Sequence, residues 1–157
     1  MWSQEMRRQL FRTFPELQRA LKRLIEPVLA AAGLTPVQYA TLLYIWRNKG
    51  SNVGALARDT GLGQANTSTL CKRLEREGLL LRERSSADER VVMLALTGAG
   101  EAALARVEQG FQHYDRQLAR VPAEQIALFQ NAIDSAAELL KHLTPFSSQK
   151  GDTTSNA

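Results

Sequence analysis

Gly78-Leu79-Leu80-Leu81-Arg82-Glu83-Arg84-Ser85-Ser86-Ala87-Asp88-Glu89-Arg90-Val91-Val92-Met93-Leu94-Ala95-Leu96-Thr97 is the stretch that decides the fold. Two runs rich in Leu and Val, 79–84 and 91–96, flank a polar segment, 85–90, whose Ser and Asp suit a turn. The spacing predicts a β-hairpin. Gly78 stands where a preceding helix, 64–77, should close. Before that helix, Gly61-Leu62-Gly63 forms a tight connection to a shorter one over 53–60, carried by Val53, Leu56 and Ala57. Two short helices joined by a glycine turn and followed at once by a hairpin predict a winged helix-turn-helix.

Working outward, helix dominates. Gly33-Leu34-Thr35-Pro36 punctuates the chain, with Thr35 suited to an N-cap and Pro36 to the first helical position. The helix that follows is expected to pack Tyr39, Leu42, Leu43 and Trp46 on one face, and residues 49–52 read as a turn. Toward the N-terminus, Leu10, Phe14, Leu17, Leu21, Leu24 and Val28 make one helical stripe, with Pro15 expected at a helix start and Pro27 near a kink or end. After Thr97 the helical period returns at Leu104, Val107, Phe111, Tyr114, Leu118 and Val121, and Pro122 breaks it. A last stripe runs through Ile126, Phe129, Ile133, Ala136, Leu140 and Leu143. The fold class is mainly α with a small β-hairpin wing, a winged helix-turn-helix plus N- and C-terminal helices. The expected division is 1–34, an N-terminal dimerisation helix; 35–97, the DNA-binding domain; 98–143, C-terminal dimerisation helices; and 144–157, a polar, disordered tail.

Composition narrows the function. With 157 residues, 44% of them apolar, the chain can bury a sizeable core, and no uncharged apolar run approaches a membrane span. The charged first ten residues do not read as a signal peptide, and the single Cys71 excludes an internal disulfide; both suit a cytoplasmic protein. Residues 1–90 hold 15 Lys/Arg against 9 Asp/Glu, and residues 91–157 hold 5 against 7. Asp59 is the only acid between Arg47 and Arg73. A polyanion is a natural partner for such a segment, because neutralised phosphates release counterions.

Several lookalikes lead nowhere. Gly98-Ala99-Gly100 with Ala103 copies part of a dinucleotide fingerprint, yet no second parallel strand or ribose-binding acid follows. Thr97 as a cap, with glycines allowing close packing, explains it better. His113, His142 and Cys71 have no metal-ligand spacing, and no nucleophile–base pair suggests catalysis. No cofactor, metal or enzymatic activity is expected.

Across residues 15 to 143 the chain resembles the MarR family of winged helix-turn-helix transcription regulators. The resemblance rests on Gly33-Leu34-Thr35 with Val37-Gln38-Tyr39 and Leu42, on Leu74-Glu75 with Gly78-Leu79-Leu80 and Arg82, and on Asp88-Glu89-Arg90 followed by Leu94, Leu96-Thr97 and Gly100. The family often has Ser at Gly63, an aliphatic at Thr67 and a base at Thr69; the polar Thr69 bears on the target sequence rather than the fold. Redox sensors in the family usually carry their cysteine near the N-terminus, whereas Cys71 falls on an inward apolar position and reads as a small buried hydrophobe.

On the helix from Gln64, positions Thr67, Leu70, Cys71 and Leu74 share an inward face. Gln64, Ala65, Asn66, Ser68 and Thr69 are then candidates for base edges, and Lys72 and Arg73 for phosphates. In the wing, Arg90 is the candidate for the minor groove, Arg84 for backbone, and Asp88 for holding Arg90. The three long stripes exceed what a winged domain needs and predict a two-fold bundle, as the resemblance also implies. Two recognition helices would then meet a near-palindromic duplex with half-sites about 10 bp apart. The resemblance further implies a small-molecule effector pocket, for which Phe14, Tyr39, Leu43, Trp46 and Phe111 are candidates, each equally suited to a core. The expected function is a DNA-binding regulator, a repressor relieved by an effector; the alternative is a winged-helix protein-interaction module without DNA binding.

Overall fold

The computed structural model describes residues 3–85, 88 and 90–142; Glu89 of the wing, Leu143 and the tail expected over 144–157 lie outside the described residues. The N-terminal stripe lies on one long helix, α1 (Gln4–Ala31), and both prolines are inside it. This corrects the expectation that Pro15 starts a helix. Each proline removes one N–H and leaves the carbonyl four residues back without its helical donor. Those carbonyls belong to Phe11 and Arg23, both exposed, so water can reach them while the flanking turns stay bonded.

Thr35 opens α2 (Pro36–Arg47) with a capping box: its hydroxyl accepts from the Gln38 N–H at 3.3 Å, and Gln38 Oε1 accepts from the Thr35 N–H at 2.8 Å. The inward face of α2 is Gln38, Thr41, Leu42 and Ile45. That also departs from the sequence expectation, since Tyr39 and Leu43 are only half-buried and Trp46 is 52% exposed. Polar residues occupy the inner face because their bonds are met. Gln38 uses both ends of its amide, and Thr41 Oγ1 donates to the Val37 carbonyl at 2.8 Å.

Helix α3 (Val53–Thr60) ends at Gly61, and α4 (Gln64–Arg76) follows after the short connection. The end of α4 shows why Gly78 is needed. The Leu79 N–H reaches the Leu74 carbonyl and the Gly78 N–H the Glu75 carbonyl, both at 2.9 Å, which requires the φ of +73° found at Gly78. The hairpin then pairs β1 (Leu80–Arg84) with β2 (Val92–Leu96), antiparallel, with Leu80 opposite Leu96 and Arg82 opposite Leu94. Ser51 extends the pairing, its carbonyl accepting from the Leu94 N–H at 2.9 Å.

Thr97 closes the module onto α5 (Gly98–Leu118). Its hydroxyl donates to the Gly78 carbonyl at 2.6 Å and accepts from the Gly100 N–H at 3.0 Å. At Gly100 any Cβ would drive into the Leu79 carbonyl oxygen, so this glycine, and not Gly98, serves the close approach of α5 to the chain before β1. Farther along, Gly110 lies against Val28, where α5 meets α1. Leu29, Leu42, Leu56, Leu74, Leu80 and Val107 are the large side chains fully buried in this core. Compactness divides the chain between His113 and Tyr114, inside α5. Beyond that point α5 ends at Leu118, short of Val121, and α6 (Ala123–Lys141) follows Pro122 with Leu128, Phe129, Ile133 and Leu139 exposed. No single helix among the described residues is long and apolar enough to cross a membrane.

Candidate nucleic-acid interface

The inward face of α4 behaves as the spacing demands: Thr67, Cys71 and Leu74 are buried and Leu70 half-buried. Thr67 stands at an aliphatic position, and its hydroxyl is satisfied by the Gly63 carbonyl at 3.2 Å. Holding that face inward turns Gln64, Ala65, Asn66, Thr69, Lys72 and Arg73 outward, all exposed, with Ser68 half-buried. The side chains on the first turns are short, so the backbone there can approach a duplex closely. Thr69 is partly committed, since its hydroxyl donates to the Ala65 carbonyl at 2.9 Å.

Arg73 differs from the free phosphate-reaching arm suggested by its position. Its Nε donates to Glu77 Oε1 at 2.8 Å, while Glu77 Oε2 accepts from the buried Gln38 Nε2 at 2.7 Å. Gln38 thus ties the start of α2 to the end of α4. Among the described residues Lys72 forms no ion pair, and it extends from an exposed site.

In the wing, Asp88 acts on backbone. Its Oδ1 accepts from the Arg90 N–H and its carbonyl from the Val91 N–H, both at 2.9 Å, and the Val91 carbonyl accepts from the Ser85 N–H at 2.9 Å. This Asx-type turn holds Arg90 at the tip with its side chain exposed. Arg84 is the last residue of β1, opposite Val92, and is exposed too. Between α4 and the wing lies a cleft of about 300 Å³ lined by Asn52, Gly54, Gln64, Ser68, Arg82 and Arg90.

Asn52, Gly54 and Arg82 were missed as site candidates, and two of them bring polar side chains. Asn52 caps α3, accepting from the Ala55 N–H at 2.9 Å. Arg82 has a side chain only 16% exposed and donates from Nη1 to Glu75 Oε2 at 3.2 Å, which joins the wing to α4. The two-residue period of a strand was the available signal. It places Arg82 on the face of the buried Leu80, where a guanidinium needs an acid. Asp59 is also engaged. It accepts from the Tyr44 hydroxyl at 2.6 Å, and that bond, with burial a smaller cause, raises the Tyr44 pKa.

The effector candidates divide. Tyr39, Leu43 and Trp46 line one groove of about 280 Å³ with Leu104, Ala105, Glu101 and Glu108 of α5, and neither Phe14 nor Phe111 lines it. Phe14 is half-exposed on α1. Periodicity could place Phe14 and Phe111 on stripes but not decide which stripes meet.

Residues 23–107, more than half of the chain, match the family model of the transcriptional regulator SarA/Rot. The chain belongs to this family. Its fold is the MarR-type winged helix, as in a MarR family protein from Bacillus stearothermophilus, TM-score 0.72 at 24% identity over 88% of this chain and 98% of that one. At higher identity, 31%, the chain is similar to the transcriptional repressor CouR bound to a 23-mer DNA duplex, TM-score 0.68, covering 78% of this chain and 89% of that one. The PcaV transcriptional regulator from Streptomyces coelicolor, in complex with its natural ligand, gives TM-score 0.67 at 26% identity, over 82% and 91%. Among curated proteins, the organic hydroperoxide resistance transcriptional regulator of Bacillus subtilis is 32% identical over 82 residues, 52% of this chain and 56% of that one. The chain spans a little over half the length of the curated relatives it matches first, 56% and 58%. In this SarA/Rot member Cys71 is fully buried, and burial is the main cause that pushes its thiol pKa up.

Proposed function

We propose that this regulator binds duplex DNA sequence-specifically as a homodimer, at a near-palindromic operator, and represses until a small-molecule effector releases it. The observation that carries this is the pairing of one open helix face with one cationic tip. The exposed N-terminal face of α4 stands beside a wing whose turn holds Arg90 outward, across a cleft lined by further polar groups. A helix in the major groove and an arginine in the adjacent minor groove is the contact set such a surface makes. The CouR complex supports the DNA reading, and the PcaV complex supports an effector. Exposed apolar rows on α1 (Leu10, Phe14, Leu17, Leu21 and Leu24) and on α6 support self-association, since monomers rarely leave such area in water. We assign residues 35–97 to DNA binding, 1–34 and 98–143 to dimerisation, no catalysis, and the cytoplasm as location.

The deciding experiment is recovery of bound fragments from a genomic pool, followed by a salt titration on the recovered duplex. The expected result is a two-fold symmetric site and a steep fall of affinity with salt. A flat salt response, or recovery without sequence preference, would instead favour a protein-interaction module.

A further inference from the structure

Among the described residues, the α2–α5 groove differs in charge from the DNA-facing side. Its floor is aromatic and aliphatic: Tyr39, Leu43 and Trp46 follow one face of α2, and Leu104 and Ala105 one face of α5. Its only charged lining groups are Glu101 and Glu108, seven positions apart on that same face of α5. Two helical turns put them about 10 Å apart, flanking the apolar floor at both ends. No Lys or Arg lines the groove; Lys49 lines the adjoining groove, which shares Trp46 and Glu101.

An indole left 52% exposed beside two carboxylates is a surface of definite selectivity. A ring face attracts a cation through its quadrupole, and the carboxylates add direct attraction. An anionic ligand would meet two like charges there with no basic group to offset them. An aromatic body is needed to cover Tyr39, Leu43 and Trp46, because a small hydrated cation gains little from an apolar floor.

We propose that this groove is the effector site of the chain and that its ligand is an aromatic organic cation, an ammonium or guanidinium on a ring-bearing body. The proposal rests on the regulator reading above for its consequence, operator release, but the binding itself is measured without DNA.

The test uses the full chain, calorimetric titration and four probes: benzyltrimethylammonium, benzoate, benzyl alcohol and choline. Benzyltrimethylammonium should bind at least about tenfold more tightly than each of the other three. Glu101→Gln combined with Glu108→Gln should weaken it about tenfold, as should Trp46→Leu, with melting curves showing that the variants remain folded. The same cation should weaken binding to the recovered duplex in the parent and not in the double variant. Benzoate binding as tightly as the cation, no heat with the cation, or an affinity indifferent to both glutamates would overturn the proposal. A parent chain that binds no duplex, or binds it equally well with and without the cation, would overturn the operator reading, while the calorimetry still decides the groove.

Discussion

In the proposed docking, Asn66 and Arg90 would divide the work of recognition, because they sit on different supports. Asn66 is exposed on the first turns of α4, where docking of that helix in a major groove would bring its amide to an adenine edge. Arg90 is held in the wing turn, where in that docking its contribution would be electrostatic and sensitive to groove width. Arg90→Ala should therefore weaken operator binding by about 1–3 kcal/mol per subunit and flatten the log-affinity against log-salt slope, leaving the preferred sequence intact. Asn66→Ala should relax preference at one or two symmetric positions and leave the slope nearly unchanged. A binding-site selection and salt titration on both variants check this; a reversed pattern contradicts the docking. Cys71 is legible in a different way. Its inward position followed from spacing with Thr67 and Leu74, and the structure leaves it no exposure. Because its folded pKa is raised, the folded chain keeps a proton that the unfolded chain sheds above about pH 8.5. Stability is thus fully present below that pH and is lost as pH rises toward the folded value. Tyr44, also raised, adds a loss in the same direction at higher pH. Cys71→Ser should shrink the thiol-range loss, cost about 1 kcal/mol at neutral pH, and leave DNA binding after peroxide unchanged. Denaturant melts at stepped pH read the first two effects.

At the scale of elements, boundaries were more legible than faces. Thr35-Pro36 opens α2, Gly61 ends α3, and Gly78 follows α4, because caps and left-handed residues are local chemistry. The inward face of α2 was legible only at Leu42, which is fully buried. Side-chain type pointed to Tyr39 and Trp46, whereas Gln38 and Thr41 go inside with their hydrogen bonds made across the fold or back along the helix. The glycines at the start of α5 give a sharp test of packing against propensity. A Cβ at Gly98 meets nothing within 4 Å, so Gly98→Ala should be neutral or stabilise by up to about 1 kcal/mol. Gly100→Ala forces a methyl onto the Leu79 carbonyl and should cost about 1–3 kcal/mol. Equal unfolding midpoints for the two variants would mean that Gly100 does not lie against the Leu79 carbonyl.

For the whole molecule, if the proposed dimer covers the exposed rows of α1 and α6, a folded, isolated protomer is the less stable state. Association and folding should be one equilibrium, with the melting temperature rising with protein concentration. Light scattering should report a dimer at micromolar concentration. Leu17→Glu on α1 and Ile133→Glu on α6, both at exposed apolar sites, should each give a dissociated or insoluble protein. A monomer with a concentration-independent, cooperative melt would rule this assembly out.

The sequence by itself determined the element order, the hairpin, the glycine turn and the outward set on α4. Those depend on period and on caps, and both are written within a few residues of where they act. Only the tertiary structure decided which surfaces face each other. Continuity of α1 through Pro15 depends on the exposure of its orphan carbonyls, and the pairing of Arg82 with Glu75 depends on how the wing folds back on α4. The engagement of Arg73 by a Glu77 that Gln38 also holds, and the meeting of Tyr39 and Trp46 with Glu101 and Glu108, are likewise products of docking. The physical reason is range: a helical stripe states that a face must be covered, but the covering element is chosen by packing among all the faces at once.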